Sequence, residues 1–252
     1  MAADHDSTVA FLLRIADDNL VLGQRLGELI SWMPDLEEDI AIANLSLDHL
    51  GQATALLQYA ADLQGHGDPD ELAMRRDERA FRNAVLVEQP NGDFAHTMAR
   101  QLFVDAYQVP FYAALSTTSD ERISGIAAKA EKEARYHLDY SSTWMIRLGD
   151  GTDESHRRAQ SAVDAMWQFV DDLFVTDDVE AELRTAGVAP ELTSVREQFD
   201  ATVNEVLSTA TLELPSDPYQ RTGGRVGFHT EHLGPMLAEM QSLHRAHPGA
   251  TW

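Results

Sequence analysis

Apolar residues return at spacings of three and four through "VAFLLRIADDNLVLGQRLGELISWM" (9–33), the repeat of a helix that buries one face. "PDLEEDIAIANLSLDHLGQATALLQYAADLQG" follows. Pro34 suits a first turn, Glu37 and Glu38 complement the positive helix end, and Gly65 and Gly67 mark the stop. "DPDELAMRRDERAFRNAVLVEQ" predicts a helix over 69–88, with Asp68 as N-cap, Pro69 at the first position and Glu71 three after the cap. "PNGD" (90–93) reads as a turn.

Beyond that turn, "FAHTMARQLFVDAYQVPFYAAL" resumes the helical period, with a kink expected at Pro110. Thr118 and Glu121 have capping-box spacing for a helix through 148. Helices are predicted from 155 to 174 and over 191–211, and "PMLAEMQSLHRAH" closes the chain as a short one. The stretch 213–234 has turn residues and little periodicity, and no segment reads as a strand. Two long hairpins, 9–64 and 93–148, joined by a crossover, outline a ferritin-like four-helix bundle. The expected architecture is a single all-α domain spanning 1–252, with additional helices and an irregular segment in a C-terminal extension over 152–252.

Composition narrows the chemistry. With 252 residues, 44% of them apolar, the chain can fill one substantial core. It has no cysteine, so disulfides and thiolate metal sites are excluded. Its net charge of −23 repels phosphate backbones and anionic lipid, so no nucleic-acid or membrane-surface role is expected. That surface either keeps the protein soluble or steers a basic partner. "MAADHDSTVA" lacks the regions of a signal peptide, and no run approaches the ~20 apolar residues of a membrane span, so the expected location is the cytoplasm.

Glu133 and His137 share "AEKEARYHLDY" (130–140), four apart on one helix face. Ferritin-like di-iron sites take a carboxylate from the first helix of each hairpin and a Glu with a His from the second, the motif spacing being three. Asp105 is the central acid of the second hairpin, and Asp17 or Asp18 that of the first. Offsets of 88 and 89 residues superpose Asp17, Asn44 and Asp48 on Asp105, Glu133 and His137. The first half then lacks both Glu and His, and His49 points about 100° away from Asp48. Two readings stay open. In one, Asp17, Asn44, Asp48, Asp105, Glu133 and His137 are a remnant polar cluster without metal, buried and hydrogen-bonded. In the other, Asp17, Asp48, Asp105, Glu133 and His137 hold two irons in a self-sufficient oxygenase.

"RTGGRVGFHTEH" (221–232) combines glycines with Arg221, Arg225, His229, Glu231 and His232. It fits neither phosphate-binding fingerprint. It reads as a packed loop at the bundle or at a partner interface, with contact to a CoA phosphate as the alternative. Trp144, Met145, Trp167 and Phe169 read as core before substrate channel. "RRDERAFR" (75–82) and "DDLFVTDDVEAE" (171–182) read as solvated faces.

Four stretches together carry a family resemblance: "DLEEDIAIANLSLDHLGQA", "RDERAFRNAVLVEQPNGDFAHTMARQ", "EARYHLDYSSTWMIRLGDGT" and "YQRTGGRVGFHTEHLGPMLAEMQ". Across nearly its whole length the chain resembles the C subunits of bacterial phenylacetyl-CoA epoxidase. The resemblance implies a multicomponent monooxygenase in aerobic phenylacetate degradation. In it a related A subunit holds the di-iron centre, a reductase relays electrons, and the C subunit is a structural partner with no catalytic residue and no cofactor of its own. The implied partners are the A subunit and the other epoxidase components, with self-association when the chain is isolated.

Overall fold

The computed structural model describes residues 4–216 and 219–250. Among these, helices alternate with turns and there is no strand, so the all-α class is as expected. In chain order the helices are α1 (His5–Gly27), α2 (Leu36–Gln64), α3 (Pro69–Met74), α4 (Phe94–Leu115) and α5 (Glu121–Gly149). They continue with α6 (Asp153–Trp167), α7 (Asp178–Thr185), α8 (Leu192–Thr209), α9 (Leu233–Met240) and α10 (Ser242–Ala246). The described chain divides into two compact units, each built on one long helical hairpin of the ferritin-like kind. The even helical periodicity does not disclose that division.

The first unit holds 4–90 with 222–250, and its hairpin is α1 with α2. Asp35 caps α2 by accepting from Glu38 N–H at 3.0 Å, and Gly65 ends it in the left-handed conformation. Asp68 caps α3 through Glu71 N–H at 2.8 Å, as its spacing predicts. The helix expected over 69–88 stops at Met74, however, and residues 81–89 form a buried, irregular segment. Buried backbone outside a helix must find other partners for its N–H and C=O groups. Asp17 accepts from Arg82 N–H at 2.8 Å and Asp18 from Ala84 N–H at 2.7 Å, while Arg25 donates to Glu88 C=O at 2.8 and 3.0 Å. Charged side chains of α1 thus replace the hydrogen bonds a helix would have made. "RRDERAFR" is correspondingly not a solvated helix face, because Phe81 is fully buried and Arg76 reaches inward to Asp17.

The second unit holds 91–221, again on one hairpin, α4 with α5, onto which α6 and α8 pack. The buried positions of α5 are Ile123, Ala127, Ala130, Ala134, His137, Ser141, Met145 and Gly149, a stripe of mostly small residues at three- and four-residue spacing. Gly149 closes it where a Cβ would stand 2.2 Å from Ala210 C=O. The cap of α5 is Asp120, which accepts from Arg122 and Ile123 N–H at 3.0 Å. Thr118, the expected cap, instead donates to Gly187 and Val188 C=O at 2.9 Å. The aromatics pack as core. Trp167 lies 5.5 Å from Phe103 and stacks on Phe199 at 6.3 Å, Trp144 meets Phe94 edge-on at 5.0 Å, and Met145 and Phe169 are buried. In 171–182, Asp172 is fully buried, so that acidic stretch is only partly a solvated face.

Candidate functional site

Each hairpin would have to supply half of a di-iron ligand set, and each half can be judged by itself. In the first unit, Asp17 is fully buried but engaged. Arg76 grips both its oxygens, Nη1 to Oδ2 at 2.9 Å and Nη2 to Oδ1, and Arg82 N–H takes a further position. Asp18 is held bidentately by Arg225, 2.9 Å on each oxygen. Burial lifts its carboxyl above the ordinary range, against the pull of Arg225. Asn44 is exposed and Asp48 half-buried, so these two do not join a buried cluster. The inward polar residue of α2 is His49, fully buried, with Nδ1 2.8 Å from Asn19 Oδ1. Asn19 donates its own Nδ2 to Ile15 C=O at 2.8 Å, which sets its oxygen toward the imidazole. The alignment by 89 residues paired the wrong side of the helix. The stripe Ile42, Leu45, Ser46, His49, Gln52, Ala53 and Leu56 was the signal that picks out His49.

In the second unit, Asp105 and His137 are both fully buried and lie close, a carboxylate oxygen and a ring nitrogen within 4.8 Å. Asp105 Oδ1 accepts from Gln101 Nε2 at 2.7 Å, and Oδ2 is 2.7 Å from Ser141 Oγ. Burial, only partly offset by those two bonds, raises its pKa to about 8. Glu133 sits nearer the margin of α5 and forms an ion pair with Lys129 Nζ at 2.7 Å. Asp105 and His137 are therefore buried close together, Asp105 held by Gln101 and Ser141, and Glu133 lies toward the exposed side of α5.

The residues do not fit a di-iron centre. Two irons need bridging carboxylates held free of competing cations. Here the α1 aspartates are paired with arginines and backbone N–H groups, and the α2 positions offered are an exposed amide and a half-buried acid.

The C-terminal loop is packed against the crossover of the first unit. Arg225, 5% exposed, bonds Asp18 and donates to Arg82 C=O at 3.0 Å. Its glycines serve close approach and turning. Gly227 has φ +80, and a Cβ there would lie 2.5 Å from Arg79 C=O. His229 donates from Nδ1 to Glu88 at 2.8 Å and from Nε2 to Phe81 C=O at 3.1 Å. Two acceptors require both ring nitrogens protonated. Burial opposes that charge, but Glu88 outweighs it and raises the imidazole pKa. Glu88, missed in the sequence, also accepts from Asn83 Nδ2 at 2.8 Å and from Thr230 N–H and Oγ1 at 2.6 and 2.8 Å. Glu231 is exposed, with His232 3.9 Å away at the rim. Arg221 is exposed and lies over the Phe169 ring at 5.8 Å. The packed-loop reading accounts for Arg225 and His229, whose cationic groups are already engaged.

A family model described as "Phenylacetic acid catabolic protein" matches residues 1–252. The chain belongs to this family. Within it, the C subunit of the 1,2-phenylacetyl-CoA epoxidase of Escherichia coli (strain K12) is 50% identical over 243 residues, covering 96% of this chain and 98% of that protein. Among the described residues no helix is long and apolar enough to cross a membrane.

Proposed function

We propose that this chain is the non-catalytic structural subunit of a cytoplasmic, multicomponent phenylacetyl-CoA epoxidase, pairing with and supporting a di-iron catalytic subunit of the same family. Epoxidation of the aromatic ring belongs to that partner, with electrons from a reductase component. Full-length identity of 50% to the C subunit of such an epoxidase supports the assignment to this component. The observation that carries the non-catalytic reading is the engagement of both α1 aspartates. Asp17 is bound by Arg76, Asp18 by Arg225, and each also holds a backbone N–H of the crossover. These carboxylates hold the fold of the first unit.

Reconstitution tests the proposal. The catalytic subunit and reductase without this chain are expected to turn over phenylacetyl-CoA at least about tenfold more slowly than the full set. Glu133→Gln in this chain should leave the full set within about twofold of wild type. Equal rates with and without the chain, or activity lost with Glu133→Gln in a folded complex, would overturn it.

A further inference from the structure

The outer face of α2 is exposed among the described residues. Of the ten large apolar side chains exposed among the described residues, five fall within 30–47: Ile30, Trp32, Leu36, Ile40 and Leu47. Trp32 is 81% exposed, Leu36 69% and Leu47 64%. Ser31, at φ +77, donates its N–H to Asp39, which ties the connection carrying Trp32 to the first turn of α2. Clustered exposed apolar side chains mark interaction surfaces, whereas isolated ones do not.

Charge and shape set this face apart. From Ile40 to Ala61 the only charged residue is Asp48, although charged residues make up 24% of the chain. The exposed positions run Ile40, Asn44, Leu47, Gly51, Thr54 and Gln58, with half-buried Asp48 the one charge over these five turns. The outer face of α5 instead exposes Lys129, Lys132, Arg135 and Asp139, as a solvated helix does. Gly51 stands mid-helix, where glycine weakens a helix, yet a Cβ there would meet nothing within 4 Å. Among the described residues nothing packs against that position. A glycine with open space on an uncharged face suits the close approach of another backbone.

We infer that this face is where the catalytic subunit docks, through a helix of its own with an uncharged apolar stripe that crosses closest at Gly51. The inference rests on the proposed function and names its contact surface. Charge sets the partner's chemistry. Glu37, Glu38 and Asp39 crowd the first turn of α2, so the partner presents Lys or Arg at that end. A second copy of this chain fits poorly, since residues 26–74 contain no Lys or Arg and each copy carries −23.

The test measures the affinity of the full chain for the catalytic subunit with Leu47→Glu and with Gly51→Leu. Each is expected to weaken the complex at least about 30-fold, by burying an unpaired charge or by filling the closest approach. The isolated Gly51→Leu chain should unfold at a higher temperature than wild type, so loss of binding cannot come from loss of fold. Tyr136→Glu, on the exposed face of α5, should bind as wild type. Variants that bind as tightly as wild type would overturn the surface and leave the functional reading standing. Wild-type chain that does not bind the catalytic subunit would overturn that reading itself. Variants that dissolve a homodimer but spare the heterocomplex would assign the face to a second copy and overturn the proposal.

Discussion

Arg225→Ala is expected to destabilise the first unit by about 3–5 kcal/mol, the usual cost of leaving one half of a buried ion pair behind. Asp18 would keep its Ala84 N–H but lose both guanidinium bonds in a site where burial already raises its pKa. The crossover would suffer as well, because Arg225 also donates to Arg82 C=O. Replacing both partners, Asp18→Leu with Arg225→Met, should recover only part of the loss, since Ala84 N–H would then lack its acceptor. Urea unfolding followed by circular dichroism gives the numbers, and limited proteolysis should show earlier cleavage within 219–232. An Arg225→Ala midpoint equal to wild type would mean the loop is held by other contacts.

Asp105 makes the second large prediction, in the pH dependence of stability. Its carboxyl titrates near 8 in the folded protein against 3.8 when unfolded. Between those values the native state holds a proton that the unfolded state has released. Stability therefore falls as pH rises through this window, by up to about 1.4 kcal/mol per unit. Below 3.8 and above about 8 the contribution levels off. Oδ1 accepts from Gln101 and Oδ2 from Ser141 Oγ, and once Oδ2 is protonated the Ser141 hydroxyl must turn to accept from it. Asp105→Asn reproduces that arrangement without a titrating group. The variant should match wild type within about 1 kcal/mol near pH 4 and exceed it increasingly toward pH 8. Parallel stability profiles for the two proteins would show that the carboxyl is ionised across the range.

The helical period disclosed both hairpins because it is a local property, and Asp68, Gly65 and the α5 stripe follow from it directly. It failed at 81–89 for a physical reason. A run buried on all sides, "FRNAVLVEQ", carries no amphipathic signal, and the groups that hold it irregular lie some 65 residues earlier, at Asp17 and Asp18. The same long-range pairing hid the roles of Glu88 and Arg225, whose partners sit across the first unit in other segments. Within α2, the residue-offset comparison selected Asn44 and Asp48, whereas the apolar stripe of the helix selects His49. In α5 the same stripe includes His137 and leaves Glu133 at its margin. Helix faces were legible, and the carboxylates' partners were not.

The central claim is that these polar residues hold the fold and that the oxygen chemistry belongs to a partner. Iron analysis of this chain, purified alone from iron-rich culture, tests it most directly. The account predicts an iron content far below one per chain, unchanged by Glu133→Ala. Two irons per chain, lost in Glu133→Ala, would contradict it and make this chain an oxygenase in its own right.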